Sequence, residues 1–255
     1  MTKLFQKTFI IFSAVLSATS VITSLAFGQN SLIATVQRSL PSIVQVESQI
    51  TGAYQSKGSS AAIHKESGRL IVLRNVKTAQ YHRDGAGVII DPRGLIVTNH
   101  HIVSEANKIA IILNDKQVVS GQVVWSVPEK DVAIVRIDPP YPLRAIAFAD
   151  SQGLRLKDEV VTVGNSPVLK QTISGGKVIG LGTNASSNSR GQRTNDMLQL
   201  DINLYKGDSG GPVLNREGQL VGLMVAGQVK KDRSSFAIPS NTIRMEYIKY
   251  LETLK

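Results

Sequence analysis

Short apolar runs alternate with turn-forming residues along most of the chain, and this pattern predicts β-strands. The runs are rich in Val and Ile, and clusters of Gly, Pro, Asn and Asp separate them, as at residues 91–94 and 216–218. Many short strands at this spacing are typical of an all-β sandwich or barrel rather than of alternating strands and helices. The predicted strands are residues 42–47, 70–74, 87–90, 95–98, 109–113, 118–125, 132–137, 160–163, 178–181, 197–202, 212–214 and 220–225.

Two helices are predicted at the ends of this region. Residues 31–39 form a short N-terminal helix that Pro41 ends, because proline cannot continue a helix. A C-terminal helix over residues 241–254 is indicated by apolar positions that recur at helical spacing. These positions are Ile243, Tyr247, Leu251 and Leu254. The proline-rich stretch 139–142 is the best candidate for a linker between two halves of the chain.

The first 28 residues are typical of a secretory signal peptide, which is removed and plays no part in the fold. Lys3 and Lys7 give a positive start, and residues 8–26 carry no charge. Ala26 and Gly28 are small residues at the two positions that a signal peptidase reads, which predicts cleavage after Gly28. The stretch could also nearly span a bilayer as an uncleaved anchor. Either way, we expect the rest of the chain to be exported, to a periplasm or outside the cell.

Composition narrows the class of protein. The chain has 255 residues, a formal net charge of +10 and no cysteine. The length suits one large domain or two small subdomains, and the 42% hydrophobic fraction excludes wholesale disorder. The lack of cysteine excludes a disulfide scaffold, an iron–sulfur protein, a thiol enzyme and a thiolate zinc site. The positive charge would suit a nucleic-acid binder, a membrane-surface protein or an enzyme with acidic substrates, and it does not choose between them.

The sharpest chemical signal is the run Gly207-Asp208-Ser209-Gly210-Gly211-Pro212 between two predicted strands. A serine hydroxyl becomes a nucleophile when a base removes its proton, and the attacked carbonyl then needs backbone N–H donors for its oxyanion. Glycines beside the serine let the backbone turn so that such N–H groups converge. A glycine-rich hairpin is the alternative, but the length of the run, followed directly by a strand, favours a nucleophile at Ser209.

Few residues could supply a base and its carboxylate partner. Of the four histidines, His64 and His82 lie in a polar, basic stretch typical of a surface. His100 and His101 follow a predicted strand, where they could be plain strand-end residues, a catalytic base or metal ligands, although no third ligand cluster accompanies them. Asp131 begins an apolar run that could carry it into the interior, or it could be a turn residue. Such a carboxylate would hold the tautomer of an imidazole and stabilise its cation.

Together these segments resemble the HtrA/Deg group of trypsin-like serine proteases. The resemblance covers roughly residues 31–245, and the segments occur in the same order as in that group. The similar segments are 85–90 (GAGVII, against G-S-G-V-I-I), 98–103 (TNHHIV, against T-N-x-H-V-V), 131–137 (DVAIVRI, against D-L-A-V-L-K-I), 164–167 (GNSP, against G-N-P with one inserted serine), 207–212 (GDSGGP, against G-x-S-G-G-P) and 236–240 (FAIPS).

The resemblance implies roles for the candidate residues. His101 rather than His100 would be the base, because His101 precedes an Ile-Val pair as the family base precedes its apolar pair. His101 would take the proton of Ser209, and Asp131 would orient His101. The backbone N–H groups of Gly207 and Ser209 would form the oxyanion hole.

The same resemblance implies an all-β fold of two six-stranded antiparallel β-barrels, with a short N-terminal helix and a C-terminal helix. The first barrel, at about residues 42–140, would carry the His and the Asp, and the second, at about 145–240, the Ser. The catalytic groups would then meet in the cleft between the barrels. No PDZ domain is expected, because the chain ends at Lys255.

Two features depart from the group. Asp208 lies between Gly207 and Ser209, whose N–H groups would form the oxyanion hole. At this position the HtrA/Deg proteases usually have Asn. Digestive trypsins use an Asp there to bind a freshly cut N-terminal amine, but no Ile-Val-Gly-Gly start occurs near residues 59–63. We therefore expect Asp208 to pair with an internal cation or to be hydrogen-bonded in a loop. The stretch 51–84 is longer than expected and basic, which predicts a solvated hairpin or a docking surface for an acidic partner.

Candidate substrate-binding residues predict the specificity. Asn203 lies six residues before Ser209, where a trypsin carries the Asp that pairs with Lys or Arg, so cleavage after basic residues is not expected. Met224, Val225 and Ala226 would form an apolar far wall, which predicts a medium or small aliphatic residue at P1.

The favoured function is a secreted serine endopeptidase that acts on protein or peptide substrates through an acyl-enzyme, with no cofactor and no metal. The alternative is a protease-fold binding module whose oxyanion hole is incomplete at rest. A nucleic-acid or membrane-surface binder is disfavoured, because aromatic residues are only 5% and do not alternate with basic residues. Proteases of this group are often trimers through their N-terminal segment, so residues 31–39 could support a homo-oligomer.

Overall fold

The computed structural model describes residues 34–63, 70–164, 172–186, 193–225 and 234–255. The predicted signal peptide and the start of the predicted N-terminal helix lie outside these residues, as do His64 and Ala226. The side chains of residues 52–79, 184–186 and 193–195 are likewise outside the description.

Strands of the described residues form two closed antiparallel barrels of six strands each, so the predicted fold class is confirmed. The first barrel has the order β1-β2-β3-β6-β5-β4, and the second has the order β10-β11-β12-β9-β8-β7. The strands of the first barrel are β1 (Ile43–Ile63), β2 (Leu70–Asp91), β3 (Leu95–Thr98), β4 (Lys108–Ile112), β5 (Val118–Val127) and β6 (Val132–Ile137). Those of the second are β7 (Glu159–Gly164), β8 (Thr172–Ser186), β9 (Arg193–Leu200), β10 (Pro212–Leu214), β11 (Leu220–Val225) and β12 (Ser235–Pro239).

Successive side chains of a strand point to opposite faces, and here several strands bury both faces. In β3, Ile96 faces the interior of the first barrel, whereas Leu95 and Val97 join a third apolar cluster between the barrels. That middle cluster also contains Val161 and Leu223 of the second barrel. The barrels therefore share a continuous apolar contact, which fixes the position of one relative to the other.

Helices occupy both ends of the described chain. Residues 34–39 form α1, followed by a 3₁₀ turn at Leu40–Ser42. The C-terminal helix α3 spans Ser240–Glu252, two residues short of the predicted end, and its Ile243 and Tyr250 pack into the cluster between the barrels. A short helix α2 (His100–Val103) lies between β3 and β4. Among the described residues, no helix has both the length and the apolar character needed to span a bilayer.

The first two strands are much longer than predicted. Residues 70–74 and 87–90 were expected to form separate strands, which is wrong, because β2 runs without a break from Leu70 to Asp91. It pairs with β1 from Ile43↔Val88 to Ile63↔Leu70, with one register shift between Gln55 and Ser59, and its polar middle carries no apolar alternation. β1 pairs with β4 over Gln45–Gln49, so the rest of the hairpin continues as a two-stranded ribbon beyond the barrel. The expected hairpin insertion is therefore present in the backbone.

Candidate active site

Strand pairing in the first barrel brings the candidate base close to its carboxylate. β3 and β6 are antiparallel neighbours, with Thr98 opposite Ala133. The residues that follow β3 therefore lie beside those that precede β6. His101 follows β3 in α2, and Asp131 precedes β6 after the 3₁₀ turn Pro128–Lys130.

The Asp131 carboxylate bonds to His101 in two places. Its Oδ2 lies 2.8 Å from His101 Nδ1, and its Oδ1 accepts the backbone N–H of His101 at 2.9 Å. The Asp131 side chain is 7% exposed, and that of His101 is 33% exposed. An ionised carboxylate only accepts hydrogen bonds, so the bond requires the proton on Nδ1. In the neutral imidazole, Nε2 is then left with a lone pair that can accept a proton.

The backbone of Asp131 is held as firmly as its side chain. Its carbonyl accepts the N–H of His100 at 3.1 Å and the side-chain amide of Asn99 at 3.1 Å. Its φ of 53° is left-handed, a conformation that Asp tolerates better than most residues. His100 Nδ1 lies 2.7 Å from Ser126 Oγ. Of the two adjacent histidines, His101 is the one whose ring lies 2.8 Å from the Asp131 carboxylate.

Arg83 is a neighbour of this site that the sequence did not reveal. Its guanidinium donates to the carbonyl of His101 at 3.0 Å and to the carbonyl of Ser104 at 2.8 Å. These carbonyls lie at the end of α2, where backbone acceptors have no helical partner. Arg83 belongs to β2, so the strand that continues into the basic hairpin also supports the turn that carries His101.

Ser209 is brought against the first barrel by its own main chain. The Ser209 carbonyl accepts the N–H of Ala86, in β2, at 2.8 Å. The following Gly210 donates to the carbonyl of Met224 at 2.9 Å, and Gly211 accepts from the N–H of Met224 at 2.8 Å. The loop is thus bonded on one side to the first barrel and on the other side to β11 of the second.

Two glycines are required by the closeness of this approach. Gly210 has a φ of 79°, and a Cβ there would overlap the carbonyl oxygen of Ala86 and lie 2.7 Å from Thr98 Oγ1. A Cβ on Gly85 would collide with the side chain of Ile102, next to His101, and lie 3.0 Å from the Ser209 carbonyl oxygen. The serine loop and the histidine turn therefore meet around a backbone that has no room for side chains.

The turn before Ser209 leaves two backbone donors unused. Asp208 donates its N–H to the carbonyl of Tyr205 at 3.1 Å, whereas the N–H groups of Gly207 and Ser209 form no hydrogen bond with any of the described residues. Gly207 has a φ of 101°, which favours glycine. Among the same residues, the Ser209 hydroxyl also forms no hydrogen bond, including to His101. Hydrogen bonds between catalytic groups are often long without substrate and tighten when it binds.

Asp208 is buried and hydrogen-bonded within the second barrel. Of the two expected environments, an internal cation or hydrogen bonds, the structure has the hydrogen bonds. The residue is 1% exposed. Its Oδ1 accepts from Thr172 Oγ1 at 2.6 Å, and its Oδ2 accepts the N–H of Tyr205 at 2.8 Å. A Cβ on Gly164 would overlap this carboxylate, so a glycine in β7 makes space for it. Both of these donors are neutral.

The candidate substrate-binding residues are only partly described. Asn203 is exposed in the loop before Ser209. Met224 is fully buried in the core of the second barrel, so it supports the serine loop with its main chain. Val225 is 8% exposed and packs in the cluster between the barrels, and Ala226 lies outside the described residues. The proposed apolar wall stays a prediction. Within the described ranges, His, Asp and Glu side chains form no group of three that could hold a metal ion.

Two closed barrels that bring a hydrogen-bonded His–Asp pair and a glycine-flanked serine to their contact define a protein of the trypsin-like class. The chain belongs to the trypsin-like peptidase family, because the model of the trypsin-like peptidase domain matches residues 85–223. The resemblance to the HtrA/Deg group is confirmed by relatives, and a solved structure shows the same fold.

Among the relatives, DegQ of Escherichia coli K12, a periplasmic pH-dependent serine endoprotease, is 38% identical over 164 residues, which are 63% of this chain and 35% of DegQ. The periplasmic serine endoprotease DegP of the same organism is 35% identical over 164 residues, covering 63% and 34% of the two chains. The chain thus spans about a third of the length of these relatives. The structure of the HtrA-type protease AlgW with a decapeptide superposes with a TM-score of 0.73 at 24% identity, over 88% of this chain and 68% of that chain.

Proposed function

We propose that the protein is a serine endopeptidase in which His101, Asp131 and Ser209 form the catalytic triad. His101 acts as the base, Asp131 orients it and stabilises its cation, and Ser209 is the nucleophile. The observation that carries the proposal is the two-point bond of the Asp131 carboxylate to His101, 2.8 Å to Nδ1 and 2.9 Å to the backbone N–H. This bond leaves Nε2 as the basic atom.

In the acylation step, His101 Nε2 takes the proton of the Ser209 hydroxyl while Oγ attacks the carbonyl carbon of the scissile peptide bond. The electron pair of the carbonyl moves to its oxygen. When the tetrahedral intermediate collapses, the C–N bond breaks and His101 returns the proton to the leaving amine. The ester on Ser209 is then hydrolysed by water through the same proton transfers in reverse.

The negative oxygen of the intermediate is assigned to the backbone N–H groups of Gly207 and Ser209. Both donors are unused among the described residues, whereas the intervening N–H of Asp208 is bonded to Tyr205. Preorganised donors of this kind stabilise an oxyanion without any reorganisation at the moment of reaction. Loss of one such donor typically lowers kcat by about 10²- to 10³-fold.

Covalent labelling tests the proposal. A fluorophosphonate probe should label the wild-type protein at Ser209, and the Ser209→Ala variant should stay unlabelled while it unfolds at the same urea concentration. A natively folded wild-type protein that takes no label would contradict the enzyme function. It would favour the second candidate, a binding module with the protease fold.

That second candidate has one observation in its favour. The Ser209 hydroxyl forms no hydrogen bond with the described residues, and none joins it to His101. A probe that labels only after a peptide ligand is added would indicate an oxyanion hole that forms on binding. A probe that never labels, with peptide binding retained, would indicate a binding module.

The substrate preference, the location and the assembly of the protein are further parts of this proposal. Peptide or protein substrates with an aliphatic P1 residue would suit a pocket with Asn203 rather than an acid at its base. Faster cleavage of P1 Arg peptides than of P1 Val or Leu peptides would contradict this preference.

Export to a periplasm is supported by the relatives, which are named periplasmic proteases. Assembly through the N-terminal segment is testable by the mass of the protein in solution.

A further inference from the structure

Glu246 is a buried acid that lies in the C-terminal helix, outside the catalytic groups. It belongs to α3, which follows the last strand of the second barrel, and its side chain is 2% exposed. An ionised carboxylate at such a position is stable only if nearby donors compensate for the loss of water. Its partners therefore show what the acid does in the fold.

Three side chains donate to this carboxylate. Lys130 Nζ lies 2.7 Å from Oε1, Lys249 Nζ lies 3.0 Å from the same oxygen, and Trp125 Nε1 donates to Oε2 at 3.2 Å. Burial alone would raise the pKa of Glu246, but the hydrogen bonds from the two lysines and the indole outweigh it and lower the pKa. The carboxylate is thus ionised at neutral pH. Lys249 belongs to the same helix, whereas Lys130 and Trp125 belong to the first barrel.

The two partners in the first barrel lie close in sequence to the turn that presents Asp131. Trp125 is in β5, three residues before the 3₁₀ turn Pro128–Lys130, and Lys130 is the last residue of that turn. Lys130 directly precedes Asp131 in the chain. The φ of Asp131 is 53°, which is unusual for a residue other than glycine. A left-handed conformation of this kind persists only where the surroundings hold it. The bonds to Glu246 hold the last residue of the turn and the strand that leads into it.

We propose that Glu246 is a positioning residue for the His101–Asp131 pair, acting across the barrel boundary through Lys130 and Trp125. The expected effect on activity rests on the proposed function. The positioning role itself does not, because it concerns only the contact between His101 and Asp131. The second barrel would then control the His–Asp pair of the first as well as carrying the nucleophile. Loss of the bond lets the turn relax, and Asp131 shifts relative to the imidazole.

The two lysines provide a matched comparison. Lys130→Met and Lys249→Met each remove one ammonium group from the same carboxylate oxygen, and both keep an apolar stem of similar length. Only Lys130 is adjacent to Asp131. A purely structural role for Glu246 predicts similar effects of the two variants, whereas a positioning role predicts that only Lys130→Met changes the chemistry.

In peptidase assays, Lys130→Met and Glu246→Gln should lower kcat/KM by roughly 5- to 30-fold, mainly through kcat, because small misplacements of catalytic groups act on the transition state. Lys249→Met should stay within about twofold of wild type, because Lys249 lies in the same helix as Glu246 and is not part of the turn that precedes Asp131. Lys130→Arg should restore the rate. Equal effects of Lys130→Met and Lys249→Met would overturn the proposal.

An NMR measurement that does not depend on catalysis tests the positioning role separately from the proposed function. In the Ser209→Ala background, the low-field NMR signal of the His101 Nδ1 proton should weaken or shift with Lys130→Met and with Glu246→Gln, and it should be unchanged with Lys249→Met. If the wild-type protein takes no fluorophosphonate label but this signal responds, the enzyme function fails and the positioning role stands. If the signal is the same in every variant, the positioning role is wrong whatever the activity. Should Lys130→Met fail to fold, Glu246→Gln and the Lys130→Arg rescue decide by the same signal.

Discussion

The candidate groups of the first barrel are held by side chains. The carboxylate of Asp131 bonds to the ring and the backbone of His101, the amide of Asn99 bonds to the carbonyl of Asp131, and Arg83 bonds to the carbonyl of His101. Each of these bonds can be weakened in small steps, by substituting one side chain for a similar one.

The candidate nucleophile of the second barrel is held by the main chain. Ser209 is fixed by the bond of its carbonyl to the N–H of Ala86, and Gly210 is fixed by the bond of its N–H to the carbonyl of Met224. Only a change of backbone conformation or volume breaks such bonds. Damage to this part should therefore affect folding and activity together, whereas damage around His101 should affect activity first.

The largest effect is expected from Gly210→Ala. The new Cβ would overlap the Ala86 carbonyl oxygen, and a φ of 79° is unfavourable for alanine. Because the clash is with backbone, the loop has to leave the first barrel, and we expect a loss of about 3 kcal/mol or more in the free energy of unfolding. Urea denaturation measures this loss, and fluorophosphonate labelling should be abolished at the same time.

Gly153→Ala is the matched control for this variant. No described atom lies within 4 Å of a Cβ built on Gly153, so its stability and labelling should stay close to wild type. If Gly210→Ala were as stable and as reactive as Gly153→Ala, the main-chain contact between Ser209 and Ala86 would not hold the site.

Thr172→Val should have an intermediate effect, because it removes a side-chain bond from the part that is otherwise held by the main chain. Valine keeps the shape of threonine but cannot donate to Asp208 Oδ1, which now accepts at 2.6 Å. A buried acceptor left without a donor costs about 1–3 kcal/mol. The turn between Gly207 and Ser209 should loosen as well, so kcat should fall more than KM changes.

The control for this variant is Thr162→Val in β7. Thr162 is also buried, but its Oγ1 has no hydrogen-bond partner among the described residues, so the same substitution there should be neutral or slightly stabilising. Thr172→Ser should recover most of the stability lost in Thr172→Val. Equal losses in Thr162→Val and Thr172→Val would mean that the bond to Asp208 contributes nothing specific.

The strands that could be predicted are those whose ends are set by the local sequence. β3, β6, β10 and β11 have the predicted bounds, because each is a short, mostly apolar run with turn residues nearby. β2 was not predicted as one strand, because its middle is polar and its conformation depends on pairing with β1. β12 came from the family resemblance rather than from the apolar pattern alone.

The same distinction holds for the candidate site. His101, Asp131 and Ser209 lie in short motifs with recognisable neighbours, and the fold brings the first two into hydrogen-bond contact. Thr172 and Glu246 are distant in sequence from the residues that they hold, by 36 and 116 positions. Such pairings leave no local pattern, since they depend on how the barrels pack. The expected hydrogen-bonded environment of Asp208 is present, but its partner could not be named from the sequence.

The smallest effect on stability is expected from Tyr247→Phe in α3. This variant removes a side-chain hydrogen bond to the first barrel that lies away from His101. Tyr247 Oη donates to Asp91 Oδ2 at 2.7 Å, and Arg93 beside Asp91 holds the pKa of that carboxyl well below its usual range. Loss of this hydrogen bond to a charged acceptor should cost about 1–2 kcal/mol at pH 7. The rate of fluorophosphonate labelling per folded molecule should not change.

The stability difference between wild type and Tyr247→Phe should also depend on pH. Burial, and then the bond to the Asp91 carboxylate, raises the pKa of Tyr247 from 10.0 to about 12. A group whose pKa is raised by folding contributes its full stability below its unfolded pKa and loses it as the pH rises through the folded value. The difference in unfolding free energy between wild type and Tyr247→Phe should therefore be constant up to pH 9 and shrink by roughly 1 kcal/mol by pH 11. A difference that stays constant from pH 7 to 11 would show that folding does not raise the pKa of Tyr247, and this account of the residue would then be wrong.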